Sequence, residues 1–489
     1  MKDEAIAGEV AKNENGSFRD TIATINSSGK RNFIFPKKPN GKYYKARTIV
    51  SLIYLVIFFS VPFIHINGEP LFLLDFLQRR FILFGVIFWP QDFVIFGIGM
   101  LTFMVFIVLF TIAYGRVFCG WVCPQTVFME MVFRKIEYWV DGNADKQRKL
   151  AQQEWNSQKI IKRTVKWSLF YLVSVLIANT FLSYIIGERE VLKIASEPIS
   201  QHMGGFAGML GFSFIFFGVY AWFREQVCII ACPYGRLQGV LLDPNSILVA
   251  YDYQRGEPKG KLRKALPEKL QGDCVDCSLC IQVCPTGIDI RNGTQLECVN
   301  CTACMDACDV VMHKINKPTG LIRYASENGI KNKTQLKFTA RLKAYSVVLT
   351  LLVGLLVYLL ASRSAMDVTV LRAAGQLFDE MDNGKIANLY NVRVINKSRN
   401  DLPVQFKIES GDGNIQMIGK PMIAKSESKG ETTFFIIRDK NNIHERKTKI
   451  KISVWSADKK LQTVSTTFLG PVYDPEHHEE EKQENENHP

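Results

Sequence analysis

The sequence predicts a multi-domain membrane protein. It should combine an α-helical bundle of five transmembrane spans, an inserted α+β dicluster ferredoxin domain of the bacterial type, and a C-terminal all-β domain. Three observations carry that prediction. Apolar residues are bunched into five charge-free runs of 18 residues or more. Eight of the 12 cysteines fall between Cys274 and Cys308. Beyond residue 361 the pattern changes to short alternating strands separated by Gly, Asn and Asp. The 47% hydrophobic content of the 489 residues looks ordinary on average, but the bunching excludes a uniform soluble enzyme. The cysteine spacing excludes a disulfide-stapled secreted domain, which would be short and would scatter its cysteines.

The five runs, near 48–66, 93–114, 167–187, 206–223 and 344–361, meet the length criterion for a bilayer helix. Phe81 to Pro90 is apolar but too short to span and is expected to be interfacial or re-entrant. MKDEAIAGEV has no apolar core, so no cleavable signal peptide is expected. Residues 1–47 hold ten Lys and Arg, whereas the 67–92 connection holds only Arg79 and Arg80. The 115–166 segment is basic again, 188–205 carries only Arg189 and Lys193, and 224–343 is rich in both. All basic segments fall on one side if the N-terminus is cytoplasmic and the chain crosses five times. The expected order is a cytoplasmic segment (1–47), a membrane domain (48–260), the ferredoxin domain (261–320), a linker (321–343) and the fifth span. An exported β domain (362–473) and an acidic disordered tail (474–489) follow. The net charge of +13 thus sits beside spans, where it orients the chain in an anionic leaflet; nucleic acid is not an expected partner.

The strongest chemical signal is GDCVDCSLCIQVCPTGIDI followed by LECVNCTACMDACDV. Twice it gives Cys-x2-Cys-x2-Cys-x3-Cys, the bacterial ferredoxin run, in which the fourth cysteine crosses to the other cluster. Cys274, Cys277, Cys280 and Cys308 are therefore expected to hold one [4Fe–4S] cluster, and Cys284, Cys298, Cys301 and Cys304 the second. Asp309 stands where a proline often follows the last cysteine, which alters the exit turn but not the ligand count. Zinc quartets fit this doubled spacing poorly.

FCGWVCPQ and VCIIACPYGRLQG supply two further pairs, Cys119/Cys123 and Cys228/Cys232. Each pair is a Cys-x3-Cys-Pro a few residues past an apolar run and a basic residue, Arg116 or Arg224. On a helix, i,i+4 spacing puts both sulfurs on one face. Four such thiolates are candidates for a soft metal such as Cu(I), an iron–sulfur centre or a redox disulfide pair; spacing does not choose. Met129 and Met131 are expected to pack rather than to bind a soft metal, His65 suits a surface or interfacial position as well as a ligand's, and no Cys-x-x-Cys-His points to haem. The terminal strands carry no cysteine and no catalytic set, which favours docking or support over chemistry.

With RRFILFGVIFWPQDF, FCGWVCPQTVF, ACPYGRLQGVLLD, the doubled ferredoxin run and LYNVRVINK in place, the chain from about Arg31 to Pro471 resembles the cytochrome c oxidase accessory family called CcoG, FixG or RdxA. The resemblance implies an immunoglobulin-like C-terminal domain and a place in the bacterial inner (cytoplasmic) membrane, with the last domain periplasmic. It also implies an oxidoreductase acting on metal ions, a cupric reductase that makes Cu(I) during assembly of the C-type haem–copper oxidase. Its implied partners are the oxidase assembly machinery and a copper chaperone or copper-transporting ATPase. Cys119, Cys123, Cys228 and Cys232 match the family's membrane-edge pairs and would serve copper or further electron transfer. No dinucleotide fingerprint is visible, so an external cytoplasmic electron donor is expected. The membrane polyferredoxins of nitrate and nitrous oxide respiration share the Cys-x3-Cys-Pro pairs, so a respiratory electron-transfer subunit is the alternative, with a non-redox assembly scaffold behind it.

Overall fold

The computed structural model describes residues 24–25, 31–66, 68–76, 80–89, 92–261, 271–333, 339–375, 377–381, 384–398, 400–426, 428–443, 445–457 and 459–471. The predicted acidic tail lies outside them. The chain folds as two units, one of residues 1–90 and 96–354, the other of residues 91–95 and 355–489.

Five helices are long and apolar enough to cross a membrane: α1 (Lys42–Phe63), α2 (Phe93–Tyr114), α3 (Ser157–Ile186), α4 (Met203–Phe223) and α5 (Ala340–Ala361). At 1.5 Å per residue, about 20 residues match a hydrocarbon core about 30 Å thick. Their side chains stay exposed, Leu351 by 69% and Phe103 by 58%, as expected of surfaces that lipid covers. The chain is a membrane protein. The third helix begins ten residues before its apolar run because Asn156 caps it, its side-chain oxygen accepting from the Lys159 N–H at 2.8 Å. Spans α1, α3 and α4 close around the wide turn Val127–Phe133. There Phe133 meets Phe170 edge-on at 4.8 Å and stacks on Tyr220 at 4.4 Å.

The 81–90 stretch, too short to span, is strand where it is described: it supplies β2 (Arg80–Leu83) and β3 (Val86–Phe88), which with β1 (Phe72–Asp75) form a three-stranded antiparallel sheet. Phe84 and Gly85 both take positive φ, 53° and 71°, the geometry of a tight hairpin turn. Ile82 and Ile87, paired across the turn, are buried. A short apolar run is ambiguous between helix and strand, and here cross-strand pairing decides it.

The ferredoxin region is closed by β4 (Leu248–Tyr251) pairing with β5 (Ile322–Ala325), so the start of the segment read as a linker is part of this domain. Its two cysteine loops repeat one backbone pattern: Asp276 and Ser278 in the first, and Asn300 and Thr302 in the second, are left-handed. Such residues are uncommon outside glycine, and Asp and Asn tolerate them best. The helix Ala303–Lys314 carries Asp306, whose carboxylate accepts from the N–H groups of Tyr43 and Tyr44 at 3.1 and 2.8 Å. Those are orphan donors of the first turn of α1, so Asp306 caps a membrane helix from the ferredoxin domain. Asp306→Ala is expected to cost about 1–2 kcal/mol, read as earlier loss of visible iron–sulfur absorbance in urea. Asp306→Asn, which keeps an acceptor, should recover part of it.

The second unit is a β-sandwich. One sheet runs β10 (Asn414–Ile418), β11 (Lys429–Asp439), β8 (Lys385–Asn396), β6 (Met366–Arg372), with β7 (Asp379–Met381) also on β8. The other runs β9 (Gln405–Ser410), β12 (Lys447–Ser456), β13 (Lys459–Leu469). Alternate residues point inward: Val392, Val394, Phe434, Ile436, Ile450, Ile452, Val454 and Phe468 form one core. Tyr390 is fully buried, and its hydroxyl donates to the Thr467 carbonyl at 3.0 Å; Asn388 donates to the Leu469 carbonyl at 2.7 Å. Both bonds stitch one sheet to the other. In the same unit Asp92 pairs with Arg363 at 2.7 Å and Lys397 at 2.6 Å.

Candidate redox site

Loop turns bring the ferredoxin cysteines together in two groups. A small cavity is lined by Cys274, Cys277, Cys280 and Cys308. A second is lined by Cys284, Cys298, Cys301 and Cys304, and Cys280 lines both. The donor chemistry fits iron–sulfur clusters. The Cys284 sulfur accepts backbone hydrogen bonds from Thr286, Gly287 and Ile288, Cys298 accepts from Asn300, and Cys301 from Ala303. N–H groups aimed at sulfur are a usual means of tuning a cluster. Burial pushes the thiols of Cys280, Cys298 and Cys308 up to about 12 and that of Cys301 to about 11. Metal loading must therefore release protons.

The membrane-edge pairs do not lie on continuous helices as their spacing suggested. Cys119 sits in the short helix Val117–Trp121, while Cys123 is extended (φ −57°, ψ 127°) ahead of the helix opened by Pro124. Cys228 lies in the wide turn Val227–Ala231, and Cys232 is likewise extended (φ −74°, ψ 113°) ahead of the helix Pro233–Leu241. Proline disfavours helical backbone in the residue before it and suits the first helical position, so each Cys-Pro marks a break. The repeat is shared in backbone as well as in sequence. Gly115 (φ 54°) and Arg224 (φ 51°), immediately past α2 and α4, are both left-handed, and each precedes its first cysteine by four residues. Arg116 and Arg224 are therefore not equivalent positions. Arg116 donates to the carbonyls of Leu296 and Gly235, whereas Arg224 pairs with Glu137.

The two repeats meet. The Gln238 amide, from the helix that follows the second pair, donates to the Cys119 sulfur of the first at 3.6 Å. Cys119 and Cys228 both pack against the group formed by Val283, Val299, Cys301 and Ala303, the shell of the second ferredoxin cavity. Gly120 lies so close to the Val299–Asn300 loop that a β-carbon there would stand 2.5 Å from the Val299 carbonyl oxygen. Gly120→Val is therefore expected to push the pair off the ferredoxin loop. Its signature would be slower re-oxidation of the pre-reduced protein by an added acceptor at unchanged iron content, measured by stopped-flow absorbance.

Sequence reasoning missed Arg47, which it counted only as flanking charge. Arg47 is buried in α1 and donates to the Gly120 carbonyl at 3.0 Å and the Cys301 carbonyl at 2.9 Å. It ties a span, a membrane-edge pair and a ferredoxin ligand together and sets a fixed cation beside the second cavity. A charge one turn inside a helix start that then runs apolar was the available signal. The same unit holds a buried ionic cluster. Glu137 pairs with Arg224 and Lys166, Lys166 with Asp141 at 2.5 Å, and Arg134 with Glu130 at 2.9 Å. Met129 and Met131 are buried packing residues. His65 lies past the first span and pairs with Glu188 at 2.9 Å.

Comparison with known proteins places this arrangement. Models described as a 4Fe-4S dicluster domain, a 4Fe-4S binding domain and the immunoglobulin-like fold at the C-terminus of FixG match residues 223–327, 96–144 and 356–471. Protein RdxB of Cereibacter sphaeroides is 33% identical over 457 residues, 88% of this chain and 94% of that protein. The chain belongs to the FixG/RdxA family. Protein RdxA of the same organism is 33% identical over 78% of this chain and 83% of its own length. The nitrogen fixation protein FixG of Rhizobium meliloti is 30% identical over 78% and 80%. In this FixG/RdxA-type chain the terminal sandwich is the family's immunoglobulin-like domain, the cysteine loops are iron–sulfur domains, and the chemistry is electron transfer.

Proposed function

We propose that this protein lies in a bacterial inner membrane, takes electrons from a cytoplasmic donor and reduces Cu(II) to Cu(I) for assembly of a C-type haem–copper oxidase. Cys274, Cys277, Cys280 and Cys308 would hold one [4Fe–4S] cluster, and Cys284, Cys298, Cys301 and Cys304 the other. When bound, the clusters supply one-electron transfer. The carrying observation is contact: Cys119 and Cys228, from separate repeats, touch the shell of the second ferredoxin cavity, which links the loop domain to the membrane domain. Arg47 and Asp306 fix that junction. The lysine and arginine distribution supports a cytoplasmic ferredoxin domain and a periplasmic sandwich. Copper enters as substrate: one electron reduces Cu(II), and Cu(I) favours the soft sulfur ligands of a chaperone. The working partners are then a copper chaperone or copper-transporting ATPase and the oxidase assembly machinery.

The test is anaerobic Cu(II) reduction by the purified full-length protein, supplied with dithionite through a redox mediator and read with a Cu(I)-specific chelator. Activity above mediator alone is expected, with loss in Cys274→Ser. Equal rates with and without the protein would refute the proposal.

A further inference from the structure

The matched 4Fe-4S binding segment, residues 96–144, contains only two cysteines, Cys119 and Cys123, half the ligands a [4Fe–4S] cluster takes. The fold brings the other half. Cys228, from the second repeat and four residues before Cys232, packs against the same buried group as Cys119 of the first. We infer that Cys119, Cys123, Cys228 and Cys232 together hold a third iron–sulfur cluster, at the junction of the ferredoxin domain and the spans. The inference deepens the electron-transfer reading and rests on it, but not on copper being the acceptor.

The donors around these sulfurs are arranged as around a cluster. Cys123 accepts backbone hydrogen bonds from Gln125 and Thr126, just beyond Pro124. The ferredoxin cysteine followed by proline, Cys284, accepts them from the residues just beyond Pro285. The two Cys-Pro turns thus use the same device. Bracing across the repeats is reciprocal. The Thr126 side chain, from the first repeat, lines one pocket with Cys228 of the second. The Gln238 amide, from the second, donates to the Cys119 sulfur of the first at 3.6 Å. Gln238 is fully buried and Thr126 nearly so. Buried donors aimed at sulfur gain most when the sulfur carries ligand charge.

The experiment is iron and acid-labile sulfide analysis of the anaerobically purified full-length protein, with EPR of the dithionite-reduced form, beside Cys123→Ser/Cys232→Ser. About 12 iron atoms per chain are expected in the parent and about eight in the double variant, with the two ferredoxin signals kept and a third lost. Thr126→Val should keep about 12 iron atoms but shift the third signal, which a purely structural threonine would not do. About eight iron atoms in the parent would overturn the inference, and so would a Cys119–Cys123 or Cys228–Cys232 disulfide or copper bound in place of iron. None of these readouts involves copper reduction, so the cluster can fail while the proposed activity stands, and the reverse.

Discussion

Cys301→Ser is expected to remove one ferredoxin cluster, about four iron atoms per chain, and to abolish reduction of the proposed copper substrate. Its effect should exceed that of a replacement at Cys277. Cys301 is buried and lines the second cavity, its carbonyl accepts from Arg47, and Cys119 and Cys228 pack against the buried group to which it belongs. Cys277 is exposed on the far quartet, so its loss leaves the junction itself intact. Iron analysis and the EPR of the reduced protein check the first expectation, and a Cu(I) chelator checks the second. Retained full activity in Cys301→Ser would show that electrons bypass this junction.

Glu137→Leu carries the largest expected stability effect. The buried carboxylate faces Arg224, Lys166 and Arg134, and although burial pushes it up, those cations hold it below its usual range. Removing the anion leaves the cations without their shared partner, a loss on the order of 3–5 kcal/mol. Thermal unfolding in detergent should show it, and Glu137→Gln should lose less because it still accepts from Arg224. The linkage has a definite sign. A carboxyl whose folded-state pKa is depressed contributes fully above the ordinary value of 4.5, and its contribution fades as pH falls through the folded value. The parent should therefore lose stability on acidification in a step that Glu137→Leu lacks.

The spans, the doubled ferredoxin run and the strand-rich terminal domain were legible because each is a local pattern: charge-free length, cysteine spacing, alternation. What was not legible depended on contacts between distant segments. The 80–88 hairpin looked like a short apolar piece because pairing with Phe72–Asp75 leaves no mark in the run itself. The Cys-x3-Cys pairs suggested one helix face, yet proline resets the backbone at each second cysteine. Arg116 and Arg224 looked like a repeated residue, although alignment on the left-handed Gly115 and Arg224 separates them. Arg47 and Asp306 act across about 250 residues of chain, and no spacing rule reaches that far.

Single-turnover oxidation tests the central claim most directly. Full-length protein in nanodiscs is reduced by dithionite, freed of excess reductant and mixed anaerobically with Cu(II), while visible iron–sulfur absorbance and Cu(I)-chelator colour are followed together. Electron transfer through this junction to copper predicts that the absorbance returns to its oxidised value in step with Cu(I), one Cu(I) per electron recovered, and that Gly120→Val slows both alike. Clusters that stay reduced in the presence of Cu(II), or Cu(I) that appears without cluster oxidation, would contradict it.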